Sequence, residues 1–255
     1  SLIAVADVDA AAAKVWDLSS GELILTLEGH IDGVNEVAFS PDGTRLVTAG
    51  SDNTAKMWEL EASATAGRSK ELFTLYGHSG FVYGIDFSPD GARVATASTD
   101  GTARVWDAAT GRELLTLVGH GAPIPNVAFS ADGKRLITGG ADGTAKVWDI
   151  TPEGSREWLT LGGHTDLVFG VAYDPEGKRL ASSSWDGTAK VWDARSGQDL
   201  LTLAGHTDRV AFIAFSPDGT RLATASYDGT AKVWDSRSGE ELLTLGGHTA
   251  WVFGI

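Results

Sequence analysis

The chain has 255 residues, of which 42% are apolar, and a formal net charge of −14. It can bury a sizeable core, but its sign is wrong for a surface that tracks nucleic-acid phosphates or an anionic membrane. With no cysteine, disulfides, thiolate metal sites and thiol nucleophiles are excluded, and a reducing, cytoplasmic setting is expected.

In chain order the predicted elements are short strands broken by turns. "LIAVADV" (2–8) reads as a strand, "DAAAAK" (9–14) as a turn, and "AKVWD" and "ELILTL" as two further strands that lead into Gly29-His30. "VNEVAFS" then ends at "SPDG" (40–43), where proline pre-sets the first turn angle and glycine supplies the positive φ that closes a hairpin. The same order recurs down the chain: a first strand such as "VAFIAFS", "SPDG" again at 88–91 and 216–219, a second strand such as "RLATAS", an Asp-Gly-Thr turn, "AKVWD", a Ser-Gly-Glu turn and "ELLTL". The last residues, "GHTAWVFGI", supply one more first strand. No run approaches transmembrane length, no signal peptide is apparent, and helical periodicity is absent.

The repeat is regular. Gly-His pairs end at His30, His78, His120, His164, His206 and His248, spaced 48, 42, 44, 42 and 42 residues apart. A tryptophan followed by an acid precedes each: Trp16, Trp58, Trp106, Trp148, Trp192 and Trp234. The extra residues of two units fall in one connection, in 61–70 and in 151–158, and are expected to be loop insertions. Four strands in about 42 residues, apolar on both faces, cannot be stable alone and must stack on neighbours.

Gly-His, Ser-Pro-Asp-Gly, Asp-Gly-Thr and Trp-Asp at one fixed period resemble the tryptophan–aspartate (WD40-type) repeat family, over essentially the whole chain. The resemblance implies an all-β β-propeller of four-stranded antiparallel blades, six in this chain. Residues 1–255 form a single domain in this reading, closed by pairing of the N- and C-terminal strands, so that one blade combines 1–29 with 249–255.

His, Asp and Ser within one unit invite a catalytic reading. However, the sets repeat: His78, Ser98, Asp100 and Trp106; His164, Ser184, Asp186 and Trp192; His206, Ser226, Asp228 and Trp234. His30, Asp52 and Trp58 match with Gly50 in the serine place, and His120, Asp142 and Trp148 with Gly140. An active site needs one constellation, whereas a scaffold needs the same one in every unit. By the resemblance each set is a buried structural network. The sixth set, with His248 and Trp16, has Ala10 in the aspartate place and is expected to be broken. No catalytic residue is assigned. No metal site is assigned either, because the histidines are 42 or more residues apart, and no cofactor motif occurs.

Positions that differ between units are the candidates for function. In the family, partners commonly dock on the top face around the central channel. That face is fed by the third and fifth residues after the histidine and by the residue before the turn aspartate. These places give the candidate binding residues Phe81, Tyr83, Leu167, Phe169, Trp185, Arg209, Tyr227, Trp251 and Phe253. They read either as bulk that plugs a narrow channel or as a peptide-binding mouth, since recognition sites favour aromatics and arginine. The resulting expectation is a non-catalytic protein- or peptide-binding scaffold or sensor, with a neutral or basic protein or peptide partner and no nucleic acid, membrane or cofactor. The chain is expected to be one module of a larger multidomain signalling or assembly protein. Two alternatives stay open: a propeller hydrolase, and a purely structural repeat module that self-associates.

Overall fold

The computed structural model describes residues 2–60 and 69–252, and every regular element in it is a strand. The strands form six antiparallel meanders in which chain neighbours are also hydrogen-bonded neighbours. Five have four strands and span 34–75, 82–118, 126–161, 168–204 and 210–245; the first, 2–28, has three among the described residues. The strand expected to complete it, 251–255, lies mostly outside the described residues, as does most of the 61–70 insertion. Residues 1–118 and 119–255 are two compact units.

The turns follow their sequences. In each Ser-x-Asp-Gly hairpin the serine hydroxyl donates to the aspartate two residues on, as Ser88 does to Asp90 at 2.5 Å, and the glycine takes positive φ, 67° at Gly91. The "DAAAAK" segment does form a turn, held by the Asp9 and Ala10 amides on the Asp7 carboxylate, but it puts Ala11 at φ 51°, where glycine is favoured.

One irregularity repeats in all six sheets: the register between the last two strands slips just before the recurring tryptophan, for example between Val105 and Trp106 and between Val191 and Trp192. Such a bulge sharpens the local twist and re-aims the following side chain. The 151–158 insertion is not a loose loop. It lengthens a hairpin, so that Ala145–Thr151 pairs with Gly154–Leu161 as far as Thr151 opposite Gly154.

Because both faces of each sheet are apolar, neighbouring sheets share cores. In the first unit Met57 and Leu75 pack with Ile85, Val94 and Trp106. In the second, Val147 and Leu161 pack with Val171, Leu180 and Trp192, and Val191 and Leu203 with Leu222 and Trp234. Each fully buried large side chain contributes roughly 1.5–3 kcal/mol, so the fold rests on these seams rather than on any single sheet.

Candidate functional site

Five sheets carry the same buried relay. Trp106 Nε1–H donates to Thr96 Oγ1 at 2.9 Å, the Thr96 hydroxyl lies 2.8 Å from His78 Nε2, and His78 Nδ1 lies 2.9 Å from Asp100. Trp58–Thr48–His30–Asp52, Trp148–Thr138–His120–Asp142, Trp192–Ser182–His164–Asp186 and Trp234–Thr224–His206–Asp228 repeat it. An indole can only donate and a carboxylate can only accept. The chain is therefore satisfied when the hydroxyl donates to Nε2 and the imidazole, protonated on Nδ1, donates to the aspartate.

Burial pushes His30, His78, His120 and His164 below the ordinary imidazole range, against the pull of the adjacent aspartates. Burial alone would raise the partner carboxylates. Hydrogen bonds from Thr102, His78 and the Ser79 amide nevertheless hold Asp100 down at about 2. In these four sheets the relay thus joins a neutral histidine to an ionised aspartate.

This geometry corrects the serine assignment. Ser98, Ser184 and Ser226 are not the relay hydroxyls; those are Thr96, Ser182 and Thr224, two residues earlier. The two positions share a strand face because side chains alternate with period two, but only the earlier one lies beside the indole. The later serines are the last residues of their strands and bind the turn: Ser98 donates to Gly80 O and accepts from the Asp100 amide, and Ser184 does the same with Asp166 O and the Asp186 amide. Ser226 repeats this with Asp208 O and Asp228. A usable signal was present, since positions 48, 96, 138, 182 and 224 all carry a hydroxyl whereas 50 and 140 are glycine.

Ser182–His164–Asp186 has the order of a nucleophilic triad, yet Ser182 is fully buried and its oxygen already accepts from Trp192. His248, of the sixth set, is exposed.

The divergent positions behave differently. In the second unit, at the end of the sheets where the Asp-Gly-Thr turns lie, five candidates form a connected cluster. Phe169 stacks on Trp185 with centroids 6.2 Å apart and planes 10° apart, and Trp185 lies 6.2 Å from Tyr227. Tyr227 stacks on Trp251 at 4.7 Å and 11°. The Arg209 guanidinium sits 4.2 Å from the Trp185 centroid and 6.0 Å from that of Tyr227, within the range in which a cation is attracted to an aromatic face.

Phe212 joins beneath, edge-on to Phe169 at 5.4 Å. It stands six residues after His206, outside the three divergent places of each unit. Phe169 is buried and floors the cluster rather than lining its surface, whereas Trp251 is 66% exposed. Leu167 is half-buried and accepts the Trp185 amide through its carbonyl. Beside the cluster a cavity of about 380 Å³ is lined by Trp185, Thr207, Asp208 and Arg209. The indole Nε1 of Trp185 is buried without a hydrogen-bond partner, unlike the relay tryptophans. Phe81, exposed, and Tyr83, half-buried, belong to the first unit. Phe253 lies outside the described residues.

Near-identical meanders, each fastened by one Trp–hydroxyl–His–Asp relay and differing at one end, define a repeat protein of the propeller class. The chain belongs to the WD40 family: the profile described as "WD domain, G-beta repeat" matches residues 21–59, 69–107, 111–149, 156–193 and 197–235, about three-quarters of the sequence. WD40 repeats generally serve as non-catalytic scaffolds.

Among curated proteins, the chain is 42% identical over 50 residues to "Nuclear distribution protein PAC1" of Arthroderma otae, covering 20% of this chain and 11% of that protein. It is 48% identical over 46 residues to "Protein groucho" of Drosophila melanogaster, covering 18% and 6%. It is 43% identical over 49 residues to "WD repeat and SOCS box-containing protein 1" of Mus musculus, covering 19% and 12%. Each match therefore spans about one repeat and a small fraction of the relative's length.

Proposed function

We propose that this chain is a non-catalytic binding module that engages a protein or peptide through the Phe169–Trp185–Arg209–Tyr227–Trp251 face. The observation that carries this reading is the arginine stacked over a connected aromatic surface at the positions where the repeats diverge, with an orphaned indole N–H in its midst. Aromatic and arginine side chains in a water-poor patch are the groups that dominate recognition energetics. A face built only to plug a channel needs no guanidinium over its tryptophan.

With a net charge of −14, a neutral or basic segment is the favoured partner, since opposite charge speeds encounter and like charge opposes it. No described helix is long and apolar enough to cross a membrane, and the cysteine-free composition fits a cytoplasmic setting. We further propose that residues 1–255 act as one repeat domain.

Selection from a displayed peptide library tests the reading. Peptides retained by the protein should be lost on Trp185→Ala, with the circular dichroism of the fold unchanged. An identical set of peptides on both proteins would refute it.

A further inference from the structure

The same arginine starts the second strand of each four-stranded sheet, and two of these arginines, Arg45 and Arg179, fill a common seat in the next sheet. Arg45 lies over Phe87 at 5.9 Å and donates to the carbonyls of Ala108, at 2.7 Å, and Gly91, at 3.1 Å. Arg179 lies over Phe215 at 5.2 Å and donates to the carbonyls of Ser236 and Gly219, both at 2.7 Å. By repeat position Arg135 would fill the corresponding seat, formed by Tyr173 with the carbonyls of Gly177 and Ala194. It does not.

Arg135 Nε instead donates to Asp149 at 2.8 Å, and its guanidinium lies 4.5 Å from the Trp158 centroid. The cause is the 151–158 insertion. In the short hairpins the equivalent aspartate caps the turn, as Asp107 does for Ala109 and Thr110. In the lengthened hairpin Asp149 is released from that duty and binds Arg135 together with Arg156, which donates to it at 2.7 Å. Trp158, where the other repeats have leucine or, at 24, isoleucine, supplies the ring on which both guanidiniums rest.

Beside the diverted Arg135 lies a cavity of about 510 Å³, lined by Tyr173, Gly177, Glu176, Asp132 and Asp149 and also by Arg135 itself and Lys134. It is built at the hairpin end of strand Arg179–Ser184, away from the aromatic face at that strand's other end. Tyr173 replaces the phenylalanine of the filled seats, and its buried hydroxyl has no hydrogen-bond partner. Burial also pushes the phenol up, so it stays protonated.

The geometry points to a second recognition site: an arginine side chain of a partner peptide enters this cavity. There its guanidinium lies over the Tyr173 ring and donates to Tyr173 Oη and the Gly177 carbonyl, which line the cavity, and reaches toward the Ala194 carbonyl as the filled seats do with Ala108 and Ser236. A planar, forked cation is what the filled seats accept, and a compact ammonium does not reproduce its several parallel donors. The lining sets the acids Asp132, Asp149 and Glu176 against the cations Lys134 and Arg135. Arg135 is held by Asp149 and Glu176 is paired with Lys178 at 2.6 Å, so the guest is selected by its shape and donors rather than by a free acidic rim.

The test is an NMR titration of the full chain with N-acetyl-arginine methylamide and, separately, with its lysine counterpart. The arginine probe should shift the Gly177 and Ala194 amides and the Tyr173 ring, and the lysine probe should bind about tenfold more weakly, the worth of roughly one charge-assisted hydrogen bond. Arg135→Ala should retain the response. Asp149→Ala should abolish it, because Arg135 is then free to swing into the seat, and the Tyr173 ring should move without any probe. Circular dichroism reports that each variant is folded. Equal binding of the two probes, no shift at the three named residues, or full arginine binding by Asp149→Ala would each overturn the proposal.

Discussion

Replacing Thr96 by valine keeps the shape of the side chain and its strand preference while deleting the hydroxyl between Trp106 and His78. Two buried groups then lose their partner: the indole N–H, 2.9 Å from the oxygen, and His78 Nε2, 2.8 Å from it. Thr96 is fully buried and Trp106 is 2% exposed, so water cannot substitute. An unsatisfied buried polar group costs about 1–3 kcal/mol. With two groups affected and some relaxation, the expected loss is about 2–4 kcal/mol. For a chain of this size that lowers the melting temperature by about 5–12 °C. Ser98→Ala, two residues away, removes only turn-binding hydrogen bonds and should cost about 1 kcal/mol. Urea unfolding followed by tryptophan fluorescence, with calorimetry for the melting temperature, measures both. A Thr96→Val protein within about 0.5 kcal/mol of the parent, or a Ser98→Ala protein that is the less stable of the two, would refute the relay as drawn.

Gly50→Ser, which copies the residue at 98, 184 and 226, should destabilise by about 1–3 kcal/mol through overpacking. A Cβ there would lie 2.4 Å from His30 Nδ1 and 2.7 Å from Asp52, and an unchanged urea midpoint would contradict this. The neutral histidines His30, His78, His120 and His164 have values depressed below 6.5 in the folded chain. Their contribution is complete above pH 6.5 and is lost as the pH falls through the folded values. Urea midpoints should therefore fall on acidification below pH 6.5, and midpoints that rise there would count against neutral imidazoles. Glu36 has the opposite sign: burial pushes its carboxyl up to about 8, even though the Ile85 amide donates to it at 2.9 Å. Its contribution is complete below 4.5 and is lost as the pH rises to about 8. Glu36→Gln should therefore gain on the parent across that window by at most about 1.4 kcal/mol per pH unit, and a difference independent of pH would exclude the raised carboxyl.

The repeat, its turns and the His–Asp pairing at a constant separation of 22 residues were legible because each depends on local spacing. The relay hydroxyl was not assigned correctly, because residues 96 and 98 share a strand face and only the register across to Trp106 separates them. The 151–158 insertion was visible as extra length. That it continues a ladder, frees Asp149 and draws Arg135 from its seat depends on contacts between side chains far apart in sequence. At the candidate face, Trp185, Arg209, Tyr227 and Trp251 were found by asking where the repeats differ. Phe212 was missed because its position in the other units holds glycine, glutamate or asparagine, residues that suggest no common role.

The most direct test of the binding role is to follow the indole N–H resonances of the protein while titrating a selected peptide. The relay tryptophans Trp58, Trp106, Trp148, Trp192 and Trp234 have their N–H groups fixed by buried hydroxyls, whereas that of Trp185 has no partner. The expected result is that the Trp185 and Trp251 signals move with saturation while the relay signals stay in place. Saturable binding that leaves Trp185 and Trp251 unmoved would contradict the assignment of the aromatic–arginine face as the recognition site.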